Sequence, residues 1–289
     1  MKNKFIIIIP LVALFVVFIV LFLVFITVVI PPRTQVVTKM PTTSTAFGTS
    51  LPLNVPATNT TEPSPQAVFG WQPLEPIPVT YRYLRTNGDR TSNKVALTFD
   101  LCQTEENPSG FDTALVNVLI ETQTPATFFL GGLWMQDHLE EAKKLASVPF
   151  FELGNHSWSH LDFENIPPEV MSEEIIKTQS LMWDVVGYQT NIFRFPYGTY
   201  SEEAIDVVGE YGLYAIQWDV ESGDPDPNVT ADAMIPWVLQ QTQSGSIIIM
   251  HANGRGWNTA EALPEIIRTL RANGYEFVTI SELLDIESP

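Results

Sequence analysis

From residue 95 onward, short runs rich in β-branched and aromatic residues alternate with longer stretches of helical period, and this alternation leaves few folds open. Strands are expected at 95–100, 126–130, 150–156, 191–196, 214–220, 246–251 and 276–280. Helices are expected between them at 111–123, 172–186, 201–211, 230–243 and 259–272. Ser172 and Ser201 each precede acidic residues and suit helix starts, while Asn273-Gly274 suits a stop. Seven alternations in about 190 residues predict a parallel α/β fold, here a distorted (β/α) barrel of about seven strands.

In such folds chemistry gathers where strands end. Polar residues stand at the expected ends: Asp100, His156, Arg194 with Tyr197, Asp219 and His251. Residues 79–289 are therefore expected to form a catalytic domain.

What precedes that domain is different in kind. Residues 5–30 are almost wholly apolar and carry no charge. As a helix they would extend about 39 Å, enough for a hydrocarbon core of about 30 Å. The stretch is longer than a cleavable signal, and no A-x-A-like site follows it. Residues 1–30 are expected to be a transmembrane signal anchor. Lys2, Lys4 and the N-terminal amine against Arg33 and Lys39 favour a single-pass protein with a cytoplasmic N-terminus and its bulk on the extracytoplasmic side. Residues 31–78 are rich in Pro, Thr and Ser and read as an extended tether.

Charge narrows the partners. Lys and Arg number 15 against 33 Asp and Glu, a net charge of −18. Such a chain repels phosphate backbones, which sets nucleic acid aside. Cys102 is the one cysteine, so no intrachain disulfide forms.

His156 and His160 stand four residues apart. On a helical turn both imidazoles would face one side, a spacing that suits a divalent metal, although two histidines alone are a weak signal. Asp100 and His251 each follow an apolar strand. Either can be a simple turn former, or together they can serve as the base and acid of a hydrolysis. His138 reads as a surface residue within a helical stretch.

Taken in order, these residues resemble the polysaccharide deacetylase family, carbohydrate esterase family 4. The likeness runs through Thr98-Phe99-Asp100, His156-Ser157-x-x-His160, Arg194-Phe195-Pro196-Tyr197-Gly198, Glu221-Ser222-Gly223-Asp224 and Ile249-Met250-His251, and spans roughly residues 93–283. Five ordered motifs are specific where each alone is weak. The resemblance implies a hydrolase that removes acetyl groups from N-acetylglucosamine units of an extracellular polysaccharide.

It further implies that His156 and His160 hold a divalent metal, most often zinc. Asp100 would be the general base and His251 the acid toward the sugar amine. Arg194 would orient Asp100, Asp224 would keep His251 charged, and a backbone N–H near Tyr197 would face the oxyanion. Trp218 would wall the acetyl pocket, or be a core aromatic. Trp257, in His251-Ala252-Asn253-Gly254-Arg255-Gly256-Trp257, would stack on a pyranose, or the loop is only a flexible connection.

One departure is serious. The family usually has a second, metal-binding aspartate after the base, and Leu101 stands there. Asp100 itself, Cys102, Gln103 or water must then complete the shell. The fourth motif also runs into Pro225 where a tryptophan is usual. The Asp-Leu-Cys start and His-Ala-Asn-Gly-Arg-Gly ending resemble a subgroup of the family. Two other readings follow: a catalytically silent glycan-binding protein on the same scaffold, and a related hydrolase of non-sugar amides or esters.

Overall fold

The computed structural model describes residues 72–287 and residue 289. The expected membrane anchor at 5–30, and most of the tether, lie outside the described residues. Among the described residues no helix is long and apolar enough to cross a membrane. The chain already packs on the domain before residue 79: Ile77 is buried, and its N–H donates to Gly209 O at 2.8 Å.

Strands β1 (Lys94–Leu101), β2 (Ala126–Leu130), β3 (Phe151–Asn155), β4 (Ile192–Phe193), β5 (Tyr214–Ala215), β6 (Val220–Glu221), β7 (Ile247–His251) and β8 (Glu276–Phe277) form one sheet. Its path runs β5-β4-β3-β2-β1-β7-β6, with β8 joined to the start of β1. Every pairing of these strands is parallel. The two ends of the path, β5 and β6, are consecutive in sequence. Four residues link them, so the sheet curls back on itself as a half-barrel.

Helices α1 (Thr113–Glu121), α2 (Gly132–Asp137), α3 (Leu139–Ala146), α4 (Pro168–Val186), α5 (Glu202–Glu210), α6 (Ala231–Gln241), α7 (Thr259–Ala272) and α8 (Ile280–Leu284) follow the strands. Ser201 and Thr230 cap α5 and α6 by accepting from Ala204 N and Ala233 N. Gly274 ends the last long helix at φ 89, a left-handed conformation that glycine takes without strain. Ser172 is not a helix start. Pro168 begins α4 a turn earlier, where its missing N–H costs nothing.

Strand periodicity sorts the side chains onto two faces. Val95, Leu97, Phe99 and Leu101 join the large core beneath the helices, with Phe128, Leu130, Leu153, Ile248 and Met250. Ala96, Phe129, Ile192, Ile216 and Ile247 form a second core on the other face. Asp100 belongs with Ala96 by its period, and His251 with Ile247. The chemistry therefore sits at the top of the concave face.

The expected strand at 214–220 is in fact two strands on opposite edges of the path. Asp219 is displaced accordingly. It accepts from Ile247 N (2.8 Å), Ser246 Oγ (3.1 Å) and Arg90 Nη2 (2.7 Å), at the start of β7. It braces the edge of the sheet away from the other polar strand ends. A hollow of about 610 Å³ opens beside β3, between Phe151, Tyr188, Asn191 and Ser281. Its half-buried carboxylate, Glu152, is used up by Thr127, Ser281 and the N–H of Ile280 at the start of α8.

Candidate active site

A cleft of about 430 Å³ opens at the C-terminal ends of the strands. Asp100, His160, Tyr197, Trp218, Asp224 and His251 line it, with Cys102 and Asn253. Asp100 and His251 are register partners across β1 and β7. Two residues from chain segments far apart thus stand side by side on neighbouring strands, roughly 4.8 Å apart.

Asp100 is buried, and Arg194 Nη1 donates to its Oδ1 at 2.8 Å. Its Oδ2 stands 3.5 Å from His156 Nε2. Burial alone would raise the Asp100 carboxyl, but Arg194, His156 and His251 together hold it below the usual carboxylate range. Arg194 is fully buried under the ring of Phe129, at 4.0 Å, and its Nε and Nη2 have no hydrogen-bond partner.

The two histidines meet, by a route other than the expected helical turn. Residues 156–160 are not helical, and Ser157 and His160 are both left-handed, at φ 64 and 61. Such backbone is costly for residues with a Cβ and survives only when its surroundings hold it. Here they do. Asn155 Oδ1 accepts from Ser157 N (2.9 Å), and Ser157 Oγ accepts from His160 N (3.1 Å). From α4, buried Glu174 accepts from Trp158 N (2.9 Å), Ser159 N (2.7 Å) and Ser159 Oγ (2.7 Å). The imidazole centroids come to 5.0 Å. Neither Asn155 nor Glu174 carries a signal in the sequence.

His156 donates from Nδ1 to Arg194 O at 2.9 Å, because a carbonyl can only accept. Its Nε2 keeps a free lone pair. Burial holds His156 below the ordinary histidine range. Burial and the His156 neighbour push His160 down to about 3. Both rings are thus neutral near pH 7, the state in which imidazole ligates.

Cys102 Sγ and one nitrogen each of His156 and His160 lie within 4.8 Å of one another. Leu101 points into the large core. Gln103 is excluded from this group: its Nε2 donates to Asp137 Oδ2 (2.7 Å) and Leu133 O (3.2 Å), and its Oε1 accepts from Ser109 N. Burial pushes the Cys102 thiol up to about 12 in the protein alone.

Across the cleft, Asp224 Oδ1 accepts from His251 Nδ1 at 2.9 Å. Its Oδ2 accepts from the His251 N–H (2.7 Å) and from Thr259 Oγ1 (2.9 Å). Burial opposes the charged imidazolium, but the Asp224 carboxylate outweighs it and raises His251 above the ordinary range.

Tyr197 is exposed, sits at φ 58, and lays its ring against His160 at 4.4 Å. Trp218 lines the cleft while its ring also packs on the second core, so the two readings of it coincide. Trp257 lies outside the lining and is 47% exposed. His138 stands between α2 and α3, stacked on Trp134 at 4.8 Å.

Residues 87–216 match the profile of the polysaccharide deacetylase family. The peptidoglycan-N-acetylglucosamine deacetylase PgdA of Listeria monocytogenes is 32% identical over 196 residues, covering 67% of this chain and 39% of PgdA. The solved Bc1960 peptidoglycan N-acetylglucosamine deacetylase superposes with a TM-score of 0.66 at 28% identity, over 72% of this chain and 95% of Bc1960. BA3943 of Bacillus anthracis, a CE4 family pseudoenzyme, superposes with a TM-score of 0.64 at 25% identity, over 71% of this chain and 70% of BA3943. The chain spans 39–52% of the length of curated relatives such as PgdA. The matched segment, and the half-barrel that continues from it to His251, thus carry a polysaccharide deacetylase domain.

Proposed function

We propose that this protein is a metal-dependent deacetylase that hydrolyses the N-acetyl group of N-acetylglucosamine units in a cell-wall or extracellular polysaccharide. The observation that carries this reading is the pairing of two polarised groups on one cleft. Asp100 is held as a carboxylate by Arg194, and His251 is held toward its charged form by Asp224. A base and an acid with environments that push them apart is the arrangement amide hydrolysis needs.

The donor chemistry fits a divalent ion. Two neutral imidazoles converge, and the tautomer of His156 leaves Nε2 free for a ligand. His156 and His160 would hold the ion, with zinc the best match to this donor set. When bound, such an ion polarises the acetamide carbonyl and makes water a stronger nucleophile. Asp100 takes the proton of the attacking water. The backbone N–H at Tyr197 faces the developing oxyanion. His251 delivers its proton to the departing sugar nitrogen, and Trp218 walls the acetyl group. Residues 5–30 tether the domain to the outer face of the cell membrane.

The test is acetate release from chitooligosaccharides and peptidoglycan glycan by the purified chain. Release that is lost on chelation, restored by zinc and absent from His156→Ala supports the reading. Release that survives exhaustive metal removal ends it. Leu101, packed in the core at the position where the family resemblance implies a metal-binding aspartate, together with the likeness to a pseudoenzyme, favours one second reading: a silent glycan-binding protein. That reading predicts saccharide affinity with no turnover in either the natural chain or a His251→Ala control.

A further inference from the structure

Two features find no place in that mechanism: Cys102 and the loop that follows His251. They meet each other. Asn253, buried, donates from Nδ2 to Cys102 O (2.8 Å) and to Cys102 Sγ (3.5 Å). The amide is oriented for this, because its Oδ1 accepts from Arg255 N at 3.1 Å. The backbones are braced as well. Gly110 N donates to Asn253 O (2.9 Å), Asp112 N to Ala252 O (2.8 Å) and Arg255 Nη2 to Asn107 O (2.7 Å). Ser109 Oγ takes the remaining side of Cys102 O at 2.8 Å.

We propose that Cys102 is the third protein ligand of the ion held by His156 and His160, bound as a thiolate, and that Asn253 is its positioning residue. Four observations carry it. The sulfur lies within 4.8 Å of both imidazole donors. Strand period places Leu101 in the core and Cys102 on the face of Asp100. Gln103 is committed to Leu133 and Asp137. One Asp100 oxygen is committed to Arg194. An N–H aimed at the sulfur is the outer contact that orients a thiolate ligand and tunes its donor strength.

On binding, the Cys102 S–H bond breaks, its proton leaves to solvent and a sulfur lone pair forms the bond to the ion, with no change of oxidation state. A donor set of one thiolate and two imidazoles selects zinc-class ions over magnesium or calcium, which require oxygen. The inference rests on the metal site of the proposed deacetylase but not on its turnover.

The experiment uses the full chain, purified in detergent, stripped of metal and loaded without oxygen with cobalt(II) or zinc. Cobalt should give a thiolate-to-metal charge-transfer band in the near ultraviolet, absent from Cys102→Ser. X-ray absorption of the natural chain with zinc should show one sulfur neighbour at about 2.3 Å, a readout that does not depend on any variant folding. Asn253→Ala should bind zinc about 10–100-fold more weakly and move the cobalt band to longer wavelength. A merely structural asparagine would leave the band in place.

Stoichiometric metal with only nitrogen and oxygen neighbours overturns the assignment, as does failure of the chain to bind either ion. A sulfur-ligated ion without acetate release would leave the ligand standing and end the deacetylase reading. Acetate release with no sulfur neighbour would do the reverse.

Discussion

Asp224 grips His251 at two points, its Oδ1 on the imidazole Nδ1 at 2.9 Å and its Oδ2 on the backbone N–H at 2.7 Å. One carboxylate therefore sets the tautomer and the position of the residue proposed as the acid, and favours its charged form. Because Nδ1 carries the hydrogen donated to Asp224, Nε2 is the nitrogen left to exchange a proton with substrate.

Asp224→Asn removes that anionic partner while keeping the shape. His251 is raised in the natural chain, so its acid form persists at pH values above the ordinary histidine range and is lost as pH rises through the raised value. In the variant the basic limb of the pH–rate profile should move to lower pH. The rate at neutral pH should fall by a factor within the about 10²–10⁴ that a general acid contributes. A basic limb that stays in place would remove His251 from this role.

Arg194→Met leaves the buried Asp100 carboxylate without its ion pair. Breaking such a pair costs about 3–5 kcal/mol, measurable by urea unfolding at neutral pH. Asp100 is depressed when folded, so its contribution to stability is present above its unfolded value and lost as pH falls through the folded one. The variant should show its acid limb of activity at higher pH. Adding Asp100→Leu should recover part of the lost stability, since partners in one pair are not additive.

Gly256→Ala tests why the loop after His251 needs its second glycine. A Cβ there would stand 2.2 Å from His251 O and 2.8 Å from Asp224 Oδ2. Something must shift, at a cost of about 1–3 kcal/mol. The basic limb should move as well, because Asp224 is one of the groups displaced. Gly110→Ala, whose Cβ would come no nearer than 3.9 Å to Asn253 O, should stay within about 0.5 kcal/mol of the natural chain.

Glu174→Gln tests what holds the two histidines together. The natural carboxylate accepts three hydrogen bonds from residues 158 and 159. The amide oxygen can keep both N–H groups, but without the anionic charge, and its NH₂ then faces Ser159 Oγ, which must turn from donor to acceptor. Zinc affinity, read by competition with a chelating dye, should fall by about 10–100-fold, with a stability loss of about 1–3 kcal/mol. Unchanged affinity would mean the 156–160 loop holds its left-handed turns without α4.

The parallel α/β architecture and the places of Asp100 and His251 at the ends of apolar strands were legible in the sequence. The reason is local: a period of two assigns each strand residue to a face, and Asp100 or His251 is conspicuous after an apolar run. The five ordered motifs added the roles of Arg194 and Asp224, whose contacts with Asp100 and His251 the structure contains. Other features depended on distance rather than period. Tyr214 to Val220 reads as one strand, yet its halves pair with opposite ends of the sheet, and Asp219 leaves the site with the turn. The spacing of His156 and His160 suggested a helix, whereas two left-handed residues and a carboxylate from α4 bring the rings together. The contact between Asn253 and Cys102 spans 151 residues and exists because parallel register sets the ends of β1 and β7 side by side. Short-range patterning encodes which way a side chain faces. Only the closed register of the sheet decides which distant side chains it then meets.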